Sequence, residues 1–236
     1  MKIEILYPEI CELYGDLMNA KYLARSCPEA ELVTASLKEE PAFVGGEVAL
    51  VCMGSTTERG QELSIQALRP YRDAIERRIE DGGAFLITGN AMELFGNYIE
   101  NEDGSRVEGL GLFDCHAKRR MMARYNSLYL GKFGDMDIVG YKSQFSHLYG
   151  DPGEPLFRTL RGAGRTPGAE PEGLRRNNFM ATYVLGPLTV LNPPFAKYLL
   201  QLIGARSDAL AFEDAARDAY ETRVKEFSDP NRGFEY

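Results

Sequence analysis

The sequence predicts an α/β protein built in three layers, with a mostly parallel open sheet and helices on both faces. Three observations carry this expectation. Strand-like and helix-like patterns alternate through the first half of the chain. The run "EVALVCM" is apolar at successive positions, as a central strand buried on both faces of a parallel sheet must be. A series of shorter β-like runs then follows in the second half.

In chain order, Lys2 to Tyr7 read as a first strand. "YGDLMNAKYLARSC" reads as a helix, with Asp16 placed to cap its first turn. "ELVTAS" and "EVALVCM" are the next strands, and the turn "GSTTERG" leads into helical sequence. Pro70 suits a first helical position, and Tyr71, Ala74, Ile75 and Ile79 recur at the spacing of one helix face. "FLITGNAMELFG" is an apolar strand that runs through a sharp turn into the start of a helix. The β-like runs "GLGLFDC", "NSLYLG" and "DIVGYKSQ" come next, separated by Gly and Asp. "ATYVL" is a last strand, and "NPPFAKYLLQLIG" a helix with Asn192 as cap, Pro193 in the first turn and Gly204 as stop. A charged amphipathic helix is expected from about Asp208 to Phe227.

Residues 151–177 carry five Gly, four Pro and five Arg, a composition that points to a long, flexible surface loop. The expected organisation is one domain over residues 1–236, with that loop and a C-terminal helical extension from about 207 to 236. A chain of 236 residues with 44% hydrophobic content can bury a core of that size.

The formal charge of −8, from 35 acidic against 27 basic residues, argues against a nucleic-acid partner. No apolar run is long enough to span a bilayer, and "MKIEILYPEI" lacks a secretion signal, so the expected compartment is the cytoplasm, without membrane association. Cys11, Cys27, Cys52 and Cys115 are widely spaced, which suits reduced thiols better than disulfides or a metal site, and no metal is expected. No GxxxxGK[ST] segment is present, and no cofactor is expected.

Ligands on open parallel sheets bind beyond the carboxyl ends of the strands, where "GSTTERG" and "TGN" both fall. These two turns should face one cleft. Gly54 and Ser55 lie where main-chain N–H groups at a helix start can cradle an oxygen; alternatively the turn is a plain helix start capped by Ser55, Thr56 or Thr57. Thr88, Gly89 and Asn90 form the strand tip. Thr88 could act as a nucleophile only with an adjacent base, and none is evident. Cys115 and His116 are neighbours on a strand and should point to opposite faces, and Cys52 reads as a small core hydrophobe.

Several segments together resemble class I glutamine amidotransferases of the cobyric-acid-synthase (CobB/CobQ) type, closest to the GatD subunit that partners a Mur-ligase-like protein in amidating lipid II. "LYPEICELYGDLMN" is similar to that family's opening segment, "MGSTTERGQ" to its Gly-Gly-Gly-Gln-Asp-Arg-Glu-Gln turn, and "DGSRVEGLGLFD" to its Asp-Gly-x-x-Ile-Glu-Gly-Leu-Gly-Leu-Leu-Asp segment. "GYKSQ" stands where the family has Gly-Tyr-Glu-Ile-His, and "ATYVLGPLTVLNPPFAKYLL" resembles its Gly-Thr-Tyr-Leu-His-Gly-Pro-Leu-Leu…Asn-Pro-x-Leu-Ala-Asp segment. The resemblance implies a flavodoxin-like, class I amidotransferase-like fold, and covers roughly residues 5 to 204 in order.

The departures fall on the residues that carry the family's chemistry. Its elbow reads Cys-Gly-Gly-Tyr-Gln-Leu-Leu-Gly, and the resemblance implies that this cysteine attacks the glutamine side-chain amide. Laid without gaps on "GNAMELFG", the motif puts Gly89 at the cysteine, and a shift of one residue puts Thr88 there. The family's activating histidine falls on Leu185 of "YVLGP". Leucine neither accepts a proton nor orients a thiolate. The resemblance also implies that His116 and His147 lie away from the elbow. Within "KRRMMAR", Arg120 matches an arginine for which the resemblance implies a contact to substrate or partner; the alternative is a solvated edge strand guarded by charge.

Two readings of function follow. In the first, the chain is a non-catalytic relative that docks on a Mur-ligase-like ATP-dependent subunit or holds a small molecule in the former glutamine cleft. In the second, it is a working amidotransferase with a non-standard nucleophile, supplying ammonia to a cell-wall precursor or a cobyrinic-acid-type substrate. A hydrolase using Thr88 stands behind both.

Overall fold

The computed structural model describes residues 1–234. β1 (Lys2–Leu6) is followed by α1 (Leu17–Ser26), β2 (Glu31–Ala35), the short α2 (Ala42–Gly45) and β3 (Leu50–Met53). Next come α3 (Glu58–Leu68), a 3₁₀ turn over Arg69–Tyr71, α4 (Arg72–Glu80), β4 (Ala84–Thr88) and a 3₁₀ helix over Gly89–Phe95. The β-rich half comprises β5 (Tyr98–Glu100), β6 (Arg106–Glu108), β7 (Cys115–Arg119), β8 (Tyr125–Phe133), β9 (Met136–Gln144), β10 (Ser146–Gly150), β11 (Phe157–Arg161), β12 (Pro171–Glu172), β13 (Leu174–Arg176) and β14 (Phe179–Thr182). α5 (Leu188–Leu191), α6 (Pro193–Leu202) and α7 (Glu213–Ser228) complete the chain.

The main sheet runs in the order β13-β14-β4-β3-β1-β2. All its pairings are parallel except β13 with β14. Alternate residues of the central strands enter two separate cores, as a pleat buried on both faces requires. Leu6, Val51, Met53, Phe85, Ile87 and Phe179 pack with Ile65 and Leu68 of α3 and Ile75 and Ile79 of α4. Ile3, Ile5, Leu50, Cys52, Leu86 and Met180 pack on the other face with Leu17 and Leu23 of α1 and Phe195 and Leu199 of α6. Helices thus cover both faces, as expected from the sequence. Two further four-stranded sheets, β10-β7-β5-β6 and β12-β11-β8-β9, attach beside this body.

Several local expectations are corrected. Residues 151–177 do not form one long surface loop: β11, β12 and β13 lie there, and Leu156, Phe157, Glu172 and Leu174 are buried. β11 pairs with β8 across the intervening β9 and β10, which local composition does not signal, whereas β12 pairs with β11 and β13 with the adjacent β14 in a stretch whose Gly, Pro and Arg content reads as loop. "GLGLFDC" is a strand only from Cys115. Gly109 to Leu112 instead hydrogen-bond to the main chain of Leu94–Asn97, where Gly109 lies against the Gly96 carbonyl and Gly111 has φ +62°. Pro70 opens the 3₁₀ turn rather than α4. α7 starts at Glu213, because Leu210 donates to the Glu213 carboxylate, Ala211 is held by Ser26 and Tyr22, and Phe212 turns through a left-handed conformation. Of the expected extension over 207–236, Glu235 and Tyr236 lie outside the described residues. No helix among the described residues is long and apolar enough to cross a membrane.

Candidate functional site

The parallel strands β1, β3, β4 and β14 end at one rim, and a cavity of about 220 Å³ opens above it. It is lined by Ser55–Glu58, Gly89, Asn90 and Tyr183 from this rim, and by Arg119 and Ser143–Ser146 from the β-rich half. The two turns expected to share a cleft therefore do so.

Gly89 follows β4 with φ +64°, the left-handed conformation that glycine adopts without steric cost and that holds a residue up at a strand–helix elbow. A Cβ built on it would approach Leu185 Cδ2 at 3.3 Å. Of the two positions, 89 is the one with the left-handed backbone and with Leu185 as a neighbour. Thr88 is 2% exposed and faces elsewhere: its hydroxyl donates to Asp16 Oδ1 at 2.6 Å, and it does not line the cavity. Leu185 is buried, with its main chain paired to Tyr141.

Asp16 precedes α1 without a side-chain cap bond, because its carboxylate is committed to Thr88 and, at 3.3 Å, to Ser55 Oγ. Gly54 passes so close that a Cβ there would meet Asp16 Cβ at 2.2 Å. Gly54 is thus a close-approach residue rather than a lining one. In the following turn Thr57 caps α3 by accepting from Gly60 N at 3.0 Å, a contact of about 1 kcal/mol. The Thr56 N–H is not free to cradle a ligand oxygen. Asn90 Oδ1 accepts it at 2.9 Å, and Asn90 Nδ2 donates back to the Thr56 carbonyl at 2.7 Å.

Arg120 is exposed beyond the end of β7 and does not line the cavity; its neighbour Arg119 does, at 8% exposure. Side chains alternate along a strand, so an error of one position moves the guanidinium from the cleft to solvent. Arg119 donates to Gln61 Oε1 at 2.7 Å and Asn101 Oδ1 at 2.8 Å, and Gln61 Nε2 donates to Glu93 Oε2 at 2.8 Å. Glu93 Oε1 accepts from the Tyr183 hydroxyl at 2.8 Å and from Ser146 Oγ. Sequence reasoning missed this network. The one local signal is a glutamate inside the apolar run "AMELF".

Burial raises the Glu93 carboxyl above its ordinary value of 4.5, against the lowering effect of its hydrogen bonds and of Arg119. The folded protein therefore holds a proton that the unfolded chain has released, and this group's contribution to stability declines as pH rises above that value. Glu93→Gln, which stays neutral while the two hydroxyls can reverse their bonds, is expected to flatten the fall of melting temperature as pH rises above 4.5. Thermal scans of both proteins across that range check it; parallel curves would contradict it.

The remaining candidates are structural. Cys52 and Cys115 are buried, which pushes both thiols up to about 12, and neither lines the cavity. His116 points away from the buried Cys115 face and stacks on Tyr98 at 4.8 Å, as the alternation on a strand requires. His147 is buried against Gln144 Nε2 at 3.1 Å.

This fold, with its elbow at the end of β4 and its turn after β3, defines an α/β domain of the class I glutamine amidotransferase type. A solved glutamine amidotransferase superposes with a TM-score of 0.52 at 18% identity, over 86% of this chain and 98% of that one. The CobB/CobQ-like glutamine amidotransferase domain matches residues 2–192, and the chain belongs to that family. It is 24% identical over 191 residues to the GatD subunit of lipid II isoglutaminyl synthase (glutamine-hydrolyzing) of Staphylococcus aureus strain N315, across 80% of this chain and 78% of that protein. It is 21% identical over 210 residues to the GatD subunit of Streptococcus pneumoniae strain R6, across 85% and 79%.

Proposed function

We propose that this chain is a GatD-like subunit that has lost the glutaminase machinery and serves as a binding or scaffolding subunit for a Mur-ligase-like, ATP-dependent partner. The observation that carries the reading is the elbow itself. Gly89 holds the left-handed position with no side chain, and its neighbour Leu185 has no ionisable group. Losing either the nucleophile or the base of a catalytic unit costs on the order of a millionfold in rate, and losing both costs little more. Thr88 does not substitute, since its hydroxyl is held by Asp16 away from the cavity.

The cavity remains suited to a small polar ligand. Arg119 can grip a carboxylate, and Gln144 Oε1 is a buried acceptor without a hydrogen-bond partner. The partner is inferred from the curated relatives, both subunits of lipid II isoglutaminyl synthase. ATP chemistry falls to that partner, because this sequence carries no GxxxxGK[ST] segment. The test is co-expression with the Mur-ligase-like protein of the same organism, followed by co-purification and an ammonia assay with glutamine. A stable complex in which this chain releases no ammonia is the expected result. Ammonia release that Thr88→Ala abolishes would overturn the reading and restore Thr88 as a nucleophile.

A further inference from the structure

We infer that Ser55 fills the volume into which a side chain at position 89 would project, so that the two positions are mutually exclusive and the elbow is sealed as the floor of a binding cavity. The inference rests on the reading of this cleft as one without a nucleophile. It adds how the fold accommodates that loss.

A Cβ on Gly89 would lie 1.9 Å from Ser55 Oγ and 2.8 Å from Ser55 Cβ. Rotating the hydroxyl away therefore does not clear the space, since the serine Cβ still stands inside contact distance. Nor is the turn free to withdraw. Ser55 Oγ is tied to Asp16, the Ser55 carbonyl accepts from Leu13 N at 3.2 Å, and Thr56 is clamped through both its N–H and its carbonyl by Asn90.

A second contact in the same turn repeats the arrangement. A Cβ on Gly60 would lie 1.9 Å from Thr56 Oγ1. In the Gly-Gly-Gly-Gln-Asp-Arg-Glu-Gln segment that Gly54–Gln61 resembles, laid without gaps, glycine stands at positions 55 and 56 and glutamate at position 60. Across both contacts, the turn has gained a side chain where the facing residue has none. Asn90 also stands where the elbow motif has glycine, and it takes the Thr56 N–H that a ligand oxygen would otherwise use. The floor of the cavity thus presents a serine hydroxyl fixed by a carboxylate. Recognition of a ligand passes to the opposite wall, at Arg119 and Gln144.

The test is a double-mutant cycle on the full chain, read as melting temperature. Gly89→Ala alone is expected to lower it by about 5–15 °C through overpacking and the left-handed φ together. In the Ser55→Gly background the same change is expected to cost less than about 5 °C, the residue due to φ alone. Equal losses in the two backgrounds, or failure to fold in both, would overturn the inference, whereas folding only with Ser55→Gly would support it. A crystal structure of Ser55→Gly gives a second measurement. The inference expects the Gly89 turn in place over an open or water-filled space, and collapse of that turn into the space would contradict it. Ammonia release by the unmodified chain would strike the proposed function instead, and would leave this steric relation to the cycle.

Discussion

Lys142→Met is expected to lower the melting temperature by about 6–20 °C, corresponding to a loss of about 3–5 kcal/mol when one member of a buried ion pair is removed. Both Lys142 and Glu172 have side chains at 0% exposure, with Nζ and Oε1 3.3 Å apart. Burial pulls the Lys142 ammonium below its ordinary value, and Glu172 opposes that pull. The ammonium also donates to the Gly164 carbonyl at 2.7 Å, and Glu172 Oε1 accepts from Thr182 Oγ1 at 2.9 Å and Tyr183 N at 2.8 Å. Glu172 Oε2 has no hydrogen-bond partner, so the lysine is the charge that compensates this carboxylate. Methionine matches the length of the stem and leaves the carboxylate buried alone. Adding Glu172→Gln keeps an acceptor for Tyr183 N while removing the charge, and is expected to recover at least half of the loss. Calorimetry on the single and double variants decides the matter: a single variant within about 2 °C of the parent would show that the pair carries no net weight. The pair lies directly behind the cleft, since Tyr183 joins it to Glu93.

Asn192→Ala is expected to cost about 2–4 kcal/mol, because the buried N–H and carbonyl of Val139 lose this partner at once while the Leu188 carbonyl keeps only the Asn192 main-chain N–H. Asn192 Oδ1 accepts from Val139 N at 2.8 Å, and Nδ2 donates to the carbonyls of Val139 and Leu188, each at 2.8 Å. This side chain pins the middle of β9, whose far end supplies Ser143 and Gln144 to the cavity wall. Asn192→Asp keeps the acceptor for Val139 N but turns a second carboxylate oxygen onto the carbonyls of Val139 and Leu188 at a fully buried site, so it should cost at least as much as alanine. Denaturant unfolding midpoints check the order; an aspartate variant close to the parent would contradict it.

The same residue shows where the sequence misleads. Asn192 precedes a proline-led helix in the pattern of a cap, yet it makes no cap bond, and Asp16 before α1 behaves likewise. A polar residue at a helix start can be drawn into tertiary contacts, and only the packed neighbours decide between the two roles. The parallel strands were legible because burial on both faces leaves continuous apolar runs. The strands within residues 151–177 were not, because they are short, their own composition reads as loop, and β11 joins β8 across two intervening strands.

At the site, the resemblance left open whether Thr88 or Gly89 takes the elbow position. Gly89 has φ +64° and the Thr88 hydroxyl is turned to Asp16, which favours the reading that takes Gly89 as the elbow position. The resemblance singles out Arg120, whereas Arg119 faces the cavity, because neighbours on a strand point to opposite sides and a motif match alone does not show which of two adjacent arginines points inward. Glu93, Gln61 and the Lys142–Glu172 pair form contacts between segments 30 or more residues apart (Gln61–Glu93 spans 32 and Lys142–Glu172 spans 30), which no local pattern encodes.

If the elbow at Gly89 carries no nucleophile for glutamine, as proposed, ammonia release from glutamine by the purified chain, alone and with the proposed Mur-ligase-like partner, beside a Thr88→Ala variant, stays at the level of the protein-free control in every case. Release above that level by the unmodified chain would contradict the proposal.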